Sequence, residues 1–144
     1  MKKNLLMITA ALVGATIEPR GEKAVKAFPL WVADYESLAL HGAGAPINWA
    51  AFTDVSFGTA GRRVVPSGYP VMLASGKIVP ATGASETLLL MSAANEANPS
   101  DSPSGYGLVT GGNVYEGRLP TATGTPRQLP SAVRAAVNGR IRLQ

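Results

Sequence analysis

The chain has 144 residues and a net charge of +4, and its 46% hydrophobic content against 15% charged residues excludes disorder, which needs low hydrophobicity and high net charge. A chain near this length fits one domain that buries roughly 70% of its unfolded surface. With no cysteine, a disulfide scaffold, a thiol nucleophile and Cys-ligated zinc or iron–sulfur sites are also excluded.

Met1-Lys2-Lys3 precedes an apolar run, Leu5, Leu6, Met7, Ile8, Thr9, Ala10, Ala11, Leu12 and Val13. That order is shared with secretory signals, and Val13-Gly14-Ala15 has a cleavage-like form. The run is too short to span a bilayer, which takes about 20 residues, so no membrane partner is expected. If retained, it must lie against something apolar, either its own domain as an edge or core strand or a partner. Residues 1–15 therefore read as an N-terminal arm and residues 16–144 as a single domain, with 16–50 a candidate added subdomain.

In AVKAFPLWVADYESLAL, residues 24–40, Pro29 breaks any helix. A strand is expected near Pro29–Asp34 and a short turn of helix over Tyr35–Leu40, followed by a Gly-rich loop at His41–Pro46. Trp31, Trp49, Phe52 and Phe57 fall in this region. Such aromatics fill cores more often than they anchor interfaces, and both readings stay open. Gly58-Thr59-Ala60-Gly61 lacks the Gly-Lys-Ser/Thr ending of a phosphate loop and precedes no helix.

Residues 62–80, RRVVPSGYPVMLASGKIVP, carry Val64, Val65, Val71, Met72, Leu73, Ile78 and Val79 around Pro66-Ser67-Gly68 and Ser75-Gly76. Aliphatic and β-branched residues favour strands, and Pro-Ser-Gly and Ser-Gly supply the φ values of turns, so a β-meander of two or three strands is expected. Glu86–Met91 reads as a buried strand, and Ser92–Tyr106 as an exposed polar loop. Gly107–Thr110 and Asn113–Glu116 read as a hairpin around Gly111-Gly112. After the connector Leu119–Gln128, a short helix is expected over Ser131–Asn138, with Ser131 as N-cap and Gly139 at C′.

The meander of residues 62–80 and the tail Pro130–Leu143 (PSAVRAAVNGRIRL) together resemble the tailed-phage head decoration proteins, the lambda-type capsid cement family. That family runs a valine-rich strand into a Pro/Ala/Ser-Gly turn, a short strand, a Gly-Lys turn and a strand ending near proline. It closes with an Ala-rich helix, a Gly turn and an Ile-x-Leu/Val strand. The resemblance covers the C-terminal half to two-thirds of the chain. It implies a mainly β fold, a small β-barrel or sandwich-like domain with one short C-terminal helix and an extended N-terminal arm. It further implies a homotrimer on the outer surface of an icosahedral capsid, made in the host cytoplasm. Its partner would be the major capsid protein, to which Leu5–Val13 would add a strand. Trp31, Trp49, Arg134, Arg140 and Arg142 are the candidate interface residues.

Catalytic, metal and cofactor sites are not expected. His41 is the lone histidine, the acids show no pairing beyond Asp34-x-Glu36, and the serines lack a Gly-x-Ser-x-Gly setting. No small-molecule substrate is expected either. The cations are scattered, without the aromatic interleaving of a single-strand binder or the pattern of a recognition helix, so direct nucleic-acid binding is not expected. Arg134, Arg140 and Arg142 are either a solvated face or the complement of an acidic neighbour. The rival readings are another virion component (tail, fibre or minor head protein) and a secreted or periplasmic β domain with a signal peptide.

Overall fold

The computed structural model describes residues 29–98 and 105–144, so the arm Leu5–Val13 and the centre of the 92–106 loop lie outside the described residues. The fold is mainly β. Its strands are β1 (Ala39–Leu40), β2 (Val64–Val65), β3 (Pro70–Ala74), β4 (Lys77–Pro80), β5 (Leu88–Leu90), β6 (Ala94–Asn95), β7 (Leu108–Val114) and β8 (Ile141–Leu143). Helix α1 covers Ser131–Ala135, and 3-10 turns lie at Tyr35–Ser37, Trp49–Ala51, Val55–Phe57 and Glu116–Arg118.

A six-stranded sheet runs β1-β7-β5-β3-β4, with β8 also paired to β7, and β2 and β6 form a separate two-stranded ribbon. Residues 62–80 do form three strands, β2, β3 and β4, but the expected meander is corrected to a hairpin: β3 pairs with β4, whereas β2 pairs with β6 outside that sheet. Ala74 pairs with Lys77, and the loop residues between them, Ser75 and Gly76, both have positive φ, 51° and 75°. Two successive left-handed residues match the right-handed twist of the flanking strands.

Strand β7 is the seam of the molecule. On one side Val109 and Leu108 pair with Leu89 and Leu90 of β5, and further along Gly112, Asn113 and Val114 pair in parallel with β8. On the other side it meets β1 and then Val32, which bridges to Val114. Side chains that alternate across this sheet serve two cores. Leu88, Leu90, Leu108, Val71 and Ile78 join Phe52, Phe57, Val65 and Ala94 on one face. Leu89, Val109, Val114 and Ile141 join Trp31, Leu119, Leu129 and Val133 on the other. All three leucines of β5 are therefore buried, as a strand covered on both faces requires.

Several local expectations are corrected. Gly111-Gly112 is not a hairpin turn, because β7 passes through both residues without a break. A Cβ on Gly112 (φ +126°) would sit 3.0 Å from Leu38 Cα and 3.0 Å from the Ser37 carbonyl oxygen. The glycines thus serve close approach of neighbouring backbone rather than chain reversal.

Pro29–Asp34 is not a strand: Val32 makes a single bridge, and Asp34 then caps the Tyr35–Ser37 turn by accepting the Glu36 amide at 3.1 Å. The turn stops at Ser37, and Ala39–Leu40 pairs with β7 instead of extending it. Glu86–Met91 narrows to Leu88–Leu90, and the 92–106 loop contains β6 and a bridge from Tyr106 to Ala45. Helix α1 ends at Ala135, its N-cap is Pro130 rather than Ser131, and Gly139 is not its C′ residue. Thr87 accounts for the early stop, since its amide takes the Ala136 carbonyl at 2.7 Å and draws the chain toward the sheet.

Candidate functional site

Two turns and a hairpin build an apolar groove. Asp54 caps the Val55–Phe57 turn by accepting the Ser56 amide at 2.8 Å, which fixes its carboxylate at the rim and points Phe57 inward. Phe57 meets Phe52 and Tyr69 edge-on, with ring centroids 5.1 Å apart in each case, a favoured geometry for aromatic quadrupoles. Between these rings and β3–β4 lies a cavity of about 470 Å³, lined chiefly by Phe57, Tyr69, Met72, Val79 and Pro80, with Asp54 at its edge.

Hydrogen bonds from the Ser56 amide and hydroxyl hold the Asp54 carboxyl below its ordinary pKa. Burial, and then the charge of Asp54, push the Tyr69 phenol up. Near neutral pH the groove therefore presents a neutral phenol and an ionised carboxylate beside apolar walls. That arrangement suits an apolar group bearing a donor or a positive charge. Among the described residues no cluster of three or more His, Cys, Asp or Glu is placed to hold a metal ion.

The exposed apolar surface has two further concentrations. Tyr35, Leu38, Leu40 and Met91, with Glu36, line a shallow depression of about 230 Å³ beside β1. At the other end of β7, Arg118 stacks on Tyr115 with its guanidinium carbon 4.5 Å from the ring centroid and donates to the Leu30 carbonyl at 3.1 Å. Leu30 itself is 79% exposed.

The candidate interface residues are not brought together. Trp31 is only 3% exposed, inside the core that carries Leu119 and Val133, and its Nε1 donates to Ser67 Oγ at 3.1 Å. Trp49 packs partly buried against the opposite core, beside Phe52 at 6.1 Å between centroids. Arg134 donates from Nε to Glu116 Oε2 at 2.8 Å, while Arg140 and Arg142 are exposed at the two sides of Ile141. His41 follows β1, its amide bonded to the Leu108 carbonyl at 2.8 Å.

The groove was missed because its walls come from residues far apart in sequence. Only Asp54-x-Ser56 had a local signature, an Asp positioned to cap its own following turn. Among the described residues no helix is long and apolar enough to cross a membrane. Comparison of the chain with known protein families, with characterised proteins and with solved structures finds no match. What the fold and its surface define is a mainly β protein with one sheet buried on both faces.

Proposed function

We propose that the protein is a non-enzymatic structural component of a tailed-phage virion, a capsid cement protein that binds the outer face of the mature lattice as a trimer. The observation that carries this reading is the meeting of its two family-like segments. Residues 62–80 supply the β3–β4 hairpin, the C-terminal tail supplies α1 and β8, and these three strands belong to one sheet. Thr87 fastens the tail to that sheet, with its Oγ1 donating to the Val133 carbonyl at 3.0 Å.

The physical role follows from linkage. A protein that binds only the expanded lattice stabilises that lattice by its binding free energy, and a trimer that ties several capsid subunits multiplies the effect. The load opposed is the pressure of packaged DNA. Leu5–Val13 is the segment proposed to add a strand to the major capsid protein.

The test mixes purified protein with undecorated, expanded capsids of its cognate lattice, pellets the particles and counts bound copies while their disruption temperature is followed. Binding near the abundance of the major capsid protein, with a raised disruption temperature, is the expected result. Absence of binding, or binding at only a few copies per particle, overturns the reading.

A further inference from the structure

Among the described residues, the outer edge of β8 is open at the end of the molecule where the chain enters the described fold. In the parallel pairing of Gly112, Asn113 and Val114 with Ile141, Arg142 and Leu143, alternate backbone groups of β8 face β7. The Gln144 amide bonds to the Val114 carbonyl at 2.8 Å, and the Arg140 carbonyl accepts from Gly112 at 2.9 Å. The Leu143 N–H and C=O and the Ile141 C=O therefore face outward. Among the described residues they have no hydrogen-bond partner. No proline or bulge interrupts this short edge, and its outward N–H and C=O groups can receive another strand.

The chain that precedes Pro29 starts from the same end of the molecule. Trp31 accepts the Tyr115 amide at 2.8 Å, and the next amide, Glu116, bonds to the Gln144 carbonyl at 3.1 Å. Residues 14–28 would link Val13 to this point, and an extended linker of that length reaches roughly 50 Å. The outer lane of β8 is only a few strand spacings away, each about 4.8 Å.

The sequence also fits. Leu5–Val13 contains neither glycine nor proline, and in a strand Leu6, Ile8, Ala10 and Leu12 fall on one face. Ile141 and Leu143 present an apolar face at this edge, belonging to or packed against the Trp31 core, which that set would extend.

We propose that in the free protein the outer edge of β8 holds the chain's own N-terminal run Leu5–Val13 as an added strand. The inference does not rest on capsid binding. It covers the outer edge of β8, and a protein that uses the same run on a partner would have to release it first.

Amide exchange of the full-length protein alone tests it. The Leu143 amide should exchange at least about tenfold more slowly in the native chain than in full-length Ile8→Pro, whose added proline removes a strand donor. The Gly112 and Gln144 amides, bonded within the β7–β8 pair, should stay equally protected in both and so report an intact sheet.

Because the chain has no cysteine, a second measurement is clean: Thr9→Cys with Arg142→Cys, or Ala11→Cys with Arg142→Cys, both on the face opposite Ile141 and Leu143, should give a disulfide within a monomer. Equal Leu143 exchange in both chains overturns the proposal. So does Leu143 protection that falls on dilution together with a disulfide between chains, which would assign the edge to a second copy.

Discussion

Arg134 Nε donates to Glu116 Oε2 across 2.8 Å, and the same oxygen accepts the Leu129 amide at 2.9 Å. One carboxylate thus joins α1, the turn after β7 and the strand-like entry to the helix. Glu116 is 5% exposed, whereas about half of the Arg134 side chain remains in solvent. Removing the acid leaves the guanidinium free to hydrate but strands a buried amide. Glu116→Ala is therefore expected to cost about 1–3 kcal/mol, the range for an unsatisfied buried donor. Arg134→Ala should differ from it measurably, and urea unfolding of the two variants and the native chain checks both values.

Gly112 and Gly139 separate conformational need from sequence appearance. Gly112 has φ +126° and no room for a Cβ beside Leu38, while Gly139 has nothing within 4 Å of the place a Cβ would occupy. Gly112→Ala is expected to destabilise by at least about 1–3 kcal/mol through backbone strain, with the contact on Leu38 adding to it. Gly139→Ala should be close to neutral. Thermal unfolding of the two variants is enough, and equal effects would overturn the close approach of Leu38 to Gly112.

This pair of glycines also marks where the sequence stops being legible. Ser75-Gly76 was readable as a turn because its strands, β3 and β4, are contiguous and pair with each other. Gly111-Gly112 looks as good a turn locally, but its neighbours are Ala39 and Ile141, both distant in sequence. Tertiary pairing there overrides local turn chemistry. The leucines of β5 were readable as buried, though not as serving two cores. The groove at Asp54 and Tyr69 needed the approach of two turns to β3–β4, which no spacing records. Trp31 has the residue type of both a core filler and an interface anchor, and the fold places it in the core.

Trp31 carries a separable prediction. Its Nε1 donates to Ser67 Oγ at 3.1 Å, and that hydroxyl donates onward to the Met91 carbonyl at 2.7 Å. Trp31→Phe keeps most of the apolar volume and loses one hydrogen bond, a cost of about 1 kcal/mol. Trp31→Ala also opens a cavity among Leu119, Leu129 and Val133 and should cost about 3–5 kcal/mol. With two tryptophans in the chain, Trp31→Phe should also remove the more blue-shifted part of the emission and leave that of the partly buried Trp49.

The groove makes its own prediction in alkali. Burial, and secondarily the charge of Asp54, raise the Tyr69 phenol above its ordinary value of 10.0. The fold then favours the protonated phenol over the phenolate more than the unfolded chain does. The stability from this difference is fully present below the unfolded value and is lost as pH rises through the higher folded one. Tyrosinate absorbance of the native protein should accordingly contain a late-titrating component that Tyr69→Phe abolishes. Asp54→Asn should move that component down only in part, because burial is the larger cause. A Tyr69→Phe chain whose stability falls as steeply above pH 10 as the native one would show that the phenol is not what couples this groove to pH.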